Sequence, residues 1–266
     1  MITQIEKNGN AHLHHQQQQQ MQQRHELIQE SFSVSLKYNP TIPEAGQPTL
    51  ITIKITENQS DKRIKEFDLL HEKLMHVIIV SEDLSYFSHI HPILDEKEGK
   101  FTISHVFPET GKYKIWVDFK PKNGNQTLVS FNLDTMIGTT QKLIRITKER
   151  QYTKKIDKNH KVKLLLPQEI QSNKPVNITF IILDQKSNPI TDLTPLMGAG
   201  GHSVIISSNL QEFLHVHPSE EVSSNWKGGP EISFNTVFPH PGLYKAWGQF
   251  QHQNTIITAD FVLEVV

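Results

Sequence analysis

Apolar and polar residues alternate with period two over most of the chain. Ser33-Val-Ser-Leu-Lys-Tyr38 and Leu50-Ile-Thr-Ile-Lys-Ile-Thr56 each set β-branched or bulky apolar side chains on one side and polar ones on the other. That alternation predicts half-buried antiparallel strands. Asn39-Pro40, Ile42-Pro43 and Ala45-Gly46-Gln-Pro48 mark the turns between them. No long stretch with a helical period follows residue 31.

The same order of elements then runs a second time. Lys161-Val-Lys-Leu-Leu-Leu166 answers the first strand, and Val176–Leu183 answers Thr49–Ile55. Val106-Phe-Pro108-Glu-Thr-Gly111-Lys-Tyr113-Lys-Ile-Trp116-Val-Asp-Phe119 is answered by Val237-Phe-Pro239-His-Pro-Gly242-Leu-Tyr244-Lys-Ala-Trp247-Gly-Gln-Phe250. Each copy closes on an alternating strand, Thr127–Leu133 and Thr255–Val265. A repeat this long is a tandem domain, not a solenoid unit. About seven short strands at roughly 8–12-residue spacing make each copy a β-sandwich. The Gly-x-Tyr beginning a late strand resembles the tyrosine corner of immunoglobulin-like sandwiches, which gives Tyr113 and Tyr244 structural roles. Trp116, Trp247, Phe119 and Phe250 are read as core aromatics. The expected boundaries are a tail at 1–30, a first sandwich at 31–134, a linker at 135–157 and a second sandwich at 158–266.

The tail differs in texture. Ala11-His12-Leu-His14-His15 runs into Gln16–Gln20, and so polar a tract buries too little apolar surface to order itself. Disorder is expected there, with a partly helical stretch as the alternative because glutamine tolerates helix. His12, His14 and His15 could offer weak metal contacts.

Composition narrows the function. Lys+Arg number 27 and Asp+Glu 28, a formal charge of −1, so no basic field attracts nucleic acid or anionic lipid. No apolar run is long enough to span a membrane. The opening residues are polar and show no signal peptide. There is no cysteine, which removes disulfides, thiolate zinc sites and cysteine nucleophiles, and argues against blue copper. Histidines number 15, and imidazole is the commonest metal-ligating side chain.

Six of those histidines form one pattern twice. His76, His89 and His91 recur as His202, His215 and His217, each 126 residues on (202 minus 76), and Pro92 and Pro218 follow directly. A hairpin turning between Asp83 and Leu84 sets His76 opposite His91 and Ile78 opposite His89. Its repeat turns between Asn209 and Leu210. Directly opposed residues and i, i+2 residues share a face of a sheet, so all three imidazoles of each copy project from one side. A one-residue slip would separate them. Three imidazoles without thiolate suit Zn(II) or Cu(II). The fourth position is left to water, His71, His105 or His240, none of which recurs in the other copy; Met75 does not recur either, and Met197 is read as packing. Asp83 is a candidate partner for an imidazole N–H, weakened by Asn209 in its place.

His-x(12)-His-x-His-Pro followed by Phe-Pro-x-x-Gly-x-Tyr-x-x-Trp resembles a family of bacterial exported domains found among copper and heavy-metal handling proteins. Asp192-Leu-Thr-Pro-Leu-Met-Gly-Ala-Gly-Gly-His202 is especially similar to that family's signature; Asp68-Leu-Leu-His-Glu-Lys-Leu-Met-His76 departs from it. The resemblance implies an immunoglobulin-like or cupredoxin-like sandwich and an extracytoplasmic setting, although a cytoplasmic one stays open.

The leading expectation is therefore a non-enzymatic protein with copper or zinc held by His76, His89 and His91 and by His202, His215 and His217. Buffering, delivery or sensing would follow, with metal ions and another metal-handling protein as partners. An adhesive or scaffold module is the second reading. A metalloenzyme is the third, because three histidines with an open position also describe catalytic zinc. Against it, Glu82, Asp83 and Ser85 become Ser208, Asn209 and Gln211, so no acid or base recurs.

Overall fold

The computed structural model describes residues 32–58, 60, 62–135, 146–218 and 222–266. The expected Gln/His tail and its histidines lie outside those residues. The chain is all-β, with strands in two compact units, each a pair of four-stranded antiparallel sheets. Among the described residues no helix is long and apolar enough to cross a membrane.

The first unit contains β1 (Phe32–Asn39), β2 (Pro48–Glu57), β3 (Met75–Ser81), β4 (Phe87–Ile90), β5 (Ile93–Asp95), β6 (Lys100–Val106), β7 (Lys112–Phe119) and β8 (Thr127–Asp134). One sheet has the order β1-β2-β6-β5 and the other β4-β3-β7-β8. Ile51, Ile53 and Ile55 on β2 are all but inaccessible. From the facing sheet, Met75, Val77 and Ile79 of β3 pair with Phe119, Val117 and Ile115 of β7 on the inward side. This is the immunoglobulin-like arrangement of two sheets exchanging strands out of sequence order.

The second unit contains β9 (Thr153–Lys155), β10 (His160–Leu165), β11 (Pro175–Asp184), β12 (His202–Ser207), β13 (Phe213–Val216), β14 (Glu231–Val237), β15 (Gly242–His252) and β16 (Thr255–Val265). The sheets are β14-β11-β10-β9 and β13-β12-β15-β16. Strand β9 falls in the stretch expected to be linker, where it extends the sheet beside β10. Val162, Ile178, Phe180, Ile205, Phe234, Ala246, Phe250 and Phe261 form the heart of its core. Glycine permits two close approaches there. A Cβ on Gly248 would stand 2.7 Å from the Phe180 ring, and one on Gly201 2.7 Å from the Phe250 ring.

Strands β3 and β12 are buried along their whole length. That explains their unbroken apolar runs, since alternation disappears where both faces of a strand are covered. The tyrosine corner forms in both units: the Tyr113 hydroxyl donates to the Glu109 carbonyl at 2.6 Å and the Tyr244 hydroxyl to the His240 carbonyl at 2.8 Å. The two tryptophans are buried, as expected of core aromatics. Trp116 is opposite Ile78 and Trp247 opposite Val204. They lie on the face of the sheet away from Tyr113 and Tyr244. The physical reason is the spacing: residues three apart on a strand point to opposite sides.

Candidate metal centres

The hairpin register expected from the sequence is the one that forms. Val77 pairs with Ile90, Ile78 with His89, Ile79 with Ser88 and Val80 with Phe87. In the second unit Ser203 pairs with Val216, Val204 with His215, Ile205 with Leu214 and Ile206 with Phe213. Leu84 and Leu210 close these turns with φ of 59° and 60°. Asp83 is a turn residue: its carboxylate accepts the Ser85 amide at 3.0 Å and the Ser85 hydroxyl at 2.7 Å. Asn209 does the same work, its Oδ1 accepting the Gln211 amide at 3.0 Å and the Ser207 hydroxyl at 2.6 Å. The recurrence of aspartate as asparagine reflects side chains that hydrogen-bond their own turn.

In the first cluster His76 is fully buried. Its Nε2 lies 2.8 Å from the carbonyl of Leu70. A carbonyl only accepts, so Nε2 carries the proton and Nδ1 presents a lone pair. His89 Nε2 lies 2.9 Å from that Nδ1, and His91 Nε2 lies 3.1 Å from it. The rings are 5.2, 4.8 and 4.7 Å apart by centroid. Two nitrogens bonded at about 2.0–2.1 Å to one tetrahedral ion would stand roughly 3.3 Å apart. The cluster is thus within a few tenths of an ångström of a metal-ligand edge. Burial is the main influence on His76 and holds its imidazole below the usual histidine range; the Leu70 hydrogen bond and the Asp118 charge act the other way. A ligating imidazole must be unprotonated, and this one is kept so.

The second cluster repeats the construction. His202 is fully buried and its Nε2 donates to the Leu196 carbonyl at 2.9 Å. The Nδ1 of His202 and the Nε2 atoms of His215 and His217 are themselves buried. Each residue offers one ligand nitrogen within 4.8 Å of the others, and the rings stand 6.0, 5.1 and 4.7 Å apart.

One small turn orients the buried histidine in both units. Leu70 and Lys73 exchange backbone hydrogen bonds of 2.7 and 3.0 Å, and Leu196 and Ala199 exchange bonds of 2.8 and 3.1 Å. The two residues between them are left-handed in each case: His71 (φ 47°) with Glu72 (φ 63°), and Met197 (φ 49°) with Gly198 (φ 74°). His71 and Met197 therefore hold the same position, although neither type recurs in sequence. The His71 ring lies 6.0 Å from that of His76, and burial also holds its imidazole below the usual range.

The other candidates are not brought to these clusters. His105 is on β6, in the opposite sheet, against Phe107. His240 sits at the tyrosine corner with its Nδ1 on the Glu212 carboxylate. Met75 faces the core opposite Phe119. Two groups had no sequence signal. Asp118 stands directly across from His76 on β7 and is buried. His160 and His252, 92 residues apart, meet through His160 Nε2 and His252 Nδ1 at 2.9 Å.

Known structures match this chain only at low similarity. Red sea bream transglutaminase is 8% identical over 89% of this chain and 31% of its own, with a TM-score of 0.26. Yersinia pseudotuberculosis adhesin InvE is 8% identical over 88% and 60%, at 0.24. A two-domain fibronectin type III segment of chicken tenascin is 8% identical over 86% and 97%, at 0.24. The chain thus spans under a third of the transglutaminase. No curated protein matches it. The family model described as Domain of unknown function (DUF8832) matches residues 26–136 and again 154–266, and the chain belongs to that family as two tandem copies.

Proposed function

We propose that each sandwich binds one copper or zinc ion, through His76, His89 and His91 in the first and His202, His215 and His217 in the second. One observation carries this reading. In both units a buried imidazole donates Nε2–H to a backbone carbonyl, which fixes its tautomer and turns Nδ1 towards two further imidazoles. A metal-ligating histidine is ordinarily tied by its other nitrogen in this way. The replacement of Glu82, Asp83 and Ser85 by Ser208, Asn209 and Gln211 favours holding an ion, in buffering, sensing or delivery to another metal-handling protein. An extracytoplasmic setting belongs to the same proposal and rests on the family resemblance; fractionation of the native host tests it.

Isothermal titration of the metal-stripped full chain with Zn(II) and Cu(II) is the test. Two equivalents should bind to the native protein and none with comparable affinity to the His89→Ala/His215→Ala double variant. Equal uptake by both proteins sinks the proposal and leaves an adhesive or scaffold module as the better reading.

A further inference from the structure

A second histidine arrangement lies wholly within the second sandwich and takes no part in the clusters above. His160 opens β10 and His252 closes β15, so the contact between them joins the two sheets. Both are nearly buried, at 3% and 8% exposure. Each is anchored outward on a carboxylate. His160 Nδ1 lies 2.8 Å from Asp157 Oδ2, and His252 Nε2 lies 3.0 Å from Asp192 Oδ1.

Proton counting decides what this chain of four groups holds. Ionised carboxylates only accept, so His160 carries its proton on Nδ1 and His252 on Nε2. A neutral imidazole has one N–H. With both spent outward, two lone pairs face each other across 2.9 Å in a buried site. Such an opposition is costly where the dielectric is low. One added proton turns it into an N–H⁺···N hydrogen bond. We propose that the folded protein binds one proton between His160 and His252, forming an imidazole–imidazolium bridge that clamps the two sheets of the second sandwich.

The surroundings suit a single positive charge. Burial opposes ionisation of Asp157, but hydrogen bonds from the His160 ring and from the Asn159 and His160 amides outweigh it and hold the carboxyl below its usual range. Asp192 faces His252 from the β11–β12 connection, with a side chain 55% exposed. Asp184 is the β11 partner of His160, and its carboxylate is taken by the Lys186 and Asn188 amides and the Asn188 side chain. Lys161, the next residue, extends to the Ser187 hydroxyl. Gln185 donates to the Asp157 and His160 carbonyls and fixes the loop. Among the described residues no third histidine, aspartate or glutamate completes a ligand group with this pair, which favours a proton over a metal ion.

Long-range ¹⁵N–¹H correlation of the imidazoles in metal-stripped full-length protein at pH 7.5 counts the protons directly. Three N–H groups across His160 and His252 are expected; two would overturn the proposal. Asp192→Asn gives a second reading, because its amide can donate to His252 Nε2 and so balance two neutral rings. The variant should fold and show two N–H groups. Between pH 7.5 and 8.5 the unfolding constant of the native protein should rise up to tenfold per pH unit relative to the variant, since unfolded histidine, near 6.5, has already released its proton. Parallel pH profiles for the two proteins would also overturn the bridge. Neither readout depends on metal binding by the three-histidine clusters.

Discussion

The two histidine clusters share their ligands and differ in what surrounds them. Opposite the buried histidine, the first cluster has Asp118, whose two carboxylate oxygens each receive the Gln126 amide, at 2.9 and 2.8 Å; the second has Gln249, which donates to the Thr258 hydroxyl. At the first position of the orienting turn, one has His71 and the other Met197. Behind the cluster Met75 packs on Phe119, whereas Gly201 leaves room for the Phe250 ring. The duplication has thus retained three imidazoles and a carbonyl acceptor while charge and softness nearby have diverged. A buried carboxylate beside His76 favours a cation there through a medium that screens poorly, whereas Gln249 in the matching place across from His202 is uncharged.

The largest test of this comparison separates the clusters. His76→Ala and His202→Ala should each abolish one equivalent of metal, weakening it by about 100-fold or more, while the other equivalent binds as before. Calorimetric stoichiometry reads this, and loss of both equivalents in either variant would show that the clusters do not act separately. A smaller effect is expected from Asp118→Asn. Removing the buried charge should weaken the first equivalent by roughly tenfold, about 1.4 kcal/mol, with the second unmoved; competition against a chromophoric chelator measures the difference. Equal weakening of both, or of neither, would remove Asp118 from the account.

The smallest effect is in pH. The folded imidazoles of His71, His76 and His105 are all held low by burial. Their contribution to stability is therefore present above the unfolded value of about 6.5 and is lost as the pH falls from there towards the lower folded values, because the unfolded chain takes up protons first. Denaturation of the metal-stripped protein from pH 6.5 to 5 should show that decline. The decline should be shallower in His105→Gln, which removes one contributor away from both clusters. A profile that rises as the pH drops over this range would contradict the burial of neutral rings.

Much of this was legible in the chain. Period-two alternation in Leu50–Thr56 marks a strand with one buried face, and Gly111-x-Tyr113 marks a corner, because both depend on local geometry. The hairpin register followed from two facts, a short turn and three histidines that must share a face if they share an ion. The matching of His71 with Met197 follows from the 126-residue offset (197 minus 71), but the left-handed turn they share was not legible, since neither residue type signals it. Asp118 was hidden because its relation to His76 runs across β3 and β7, 42 residues apart (118 minus 76).

By itself, then, the sequence determined the duplication, which needs only the chain compared with itself, and the strands and the three imidazoles on each hairpin, which are properties of neighbours along the chain or across one tight turn. Only the tertiary structure decided which nitrogen of His76 and His202 faces the cluster, which charge stands beside it, and that His160 meets His252. Those depend on where distant carbonyls and carboxylates come to rest when two sheets pack, and a hydrogen bond's direction is set by the partner it finds.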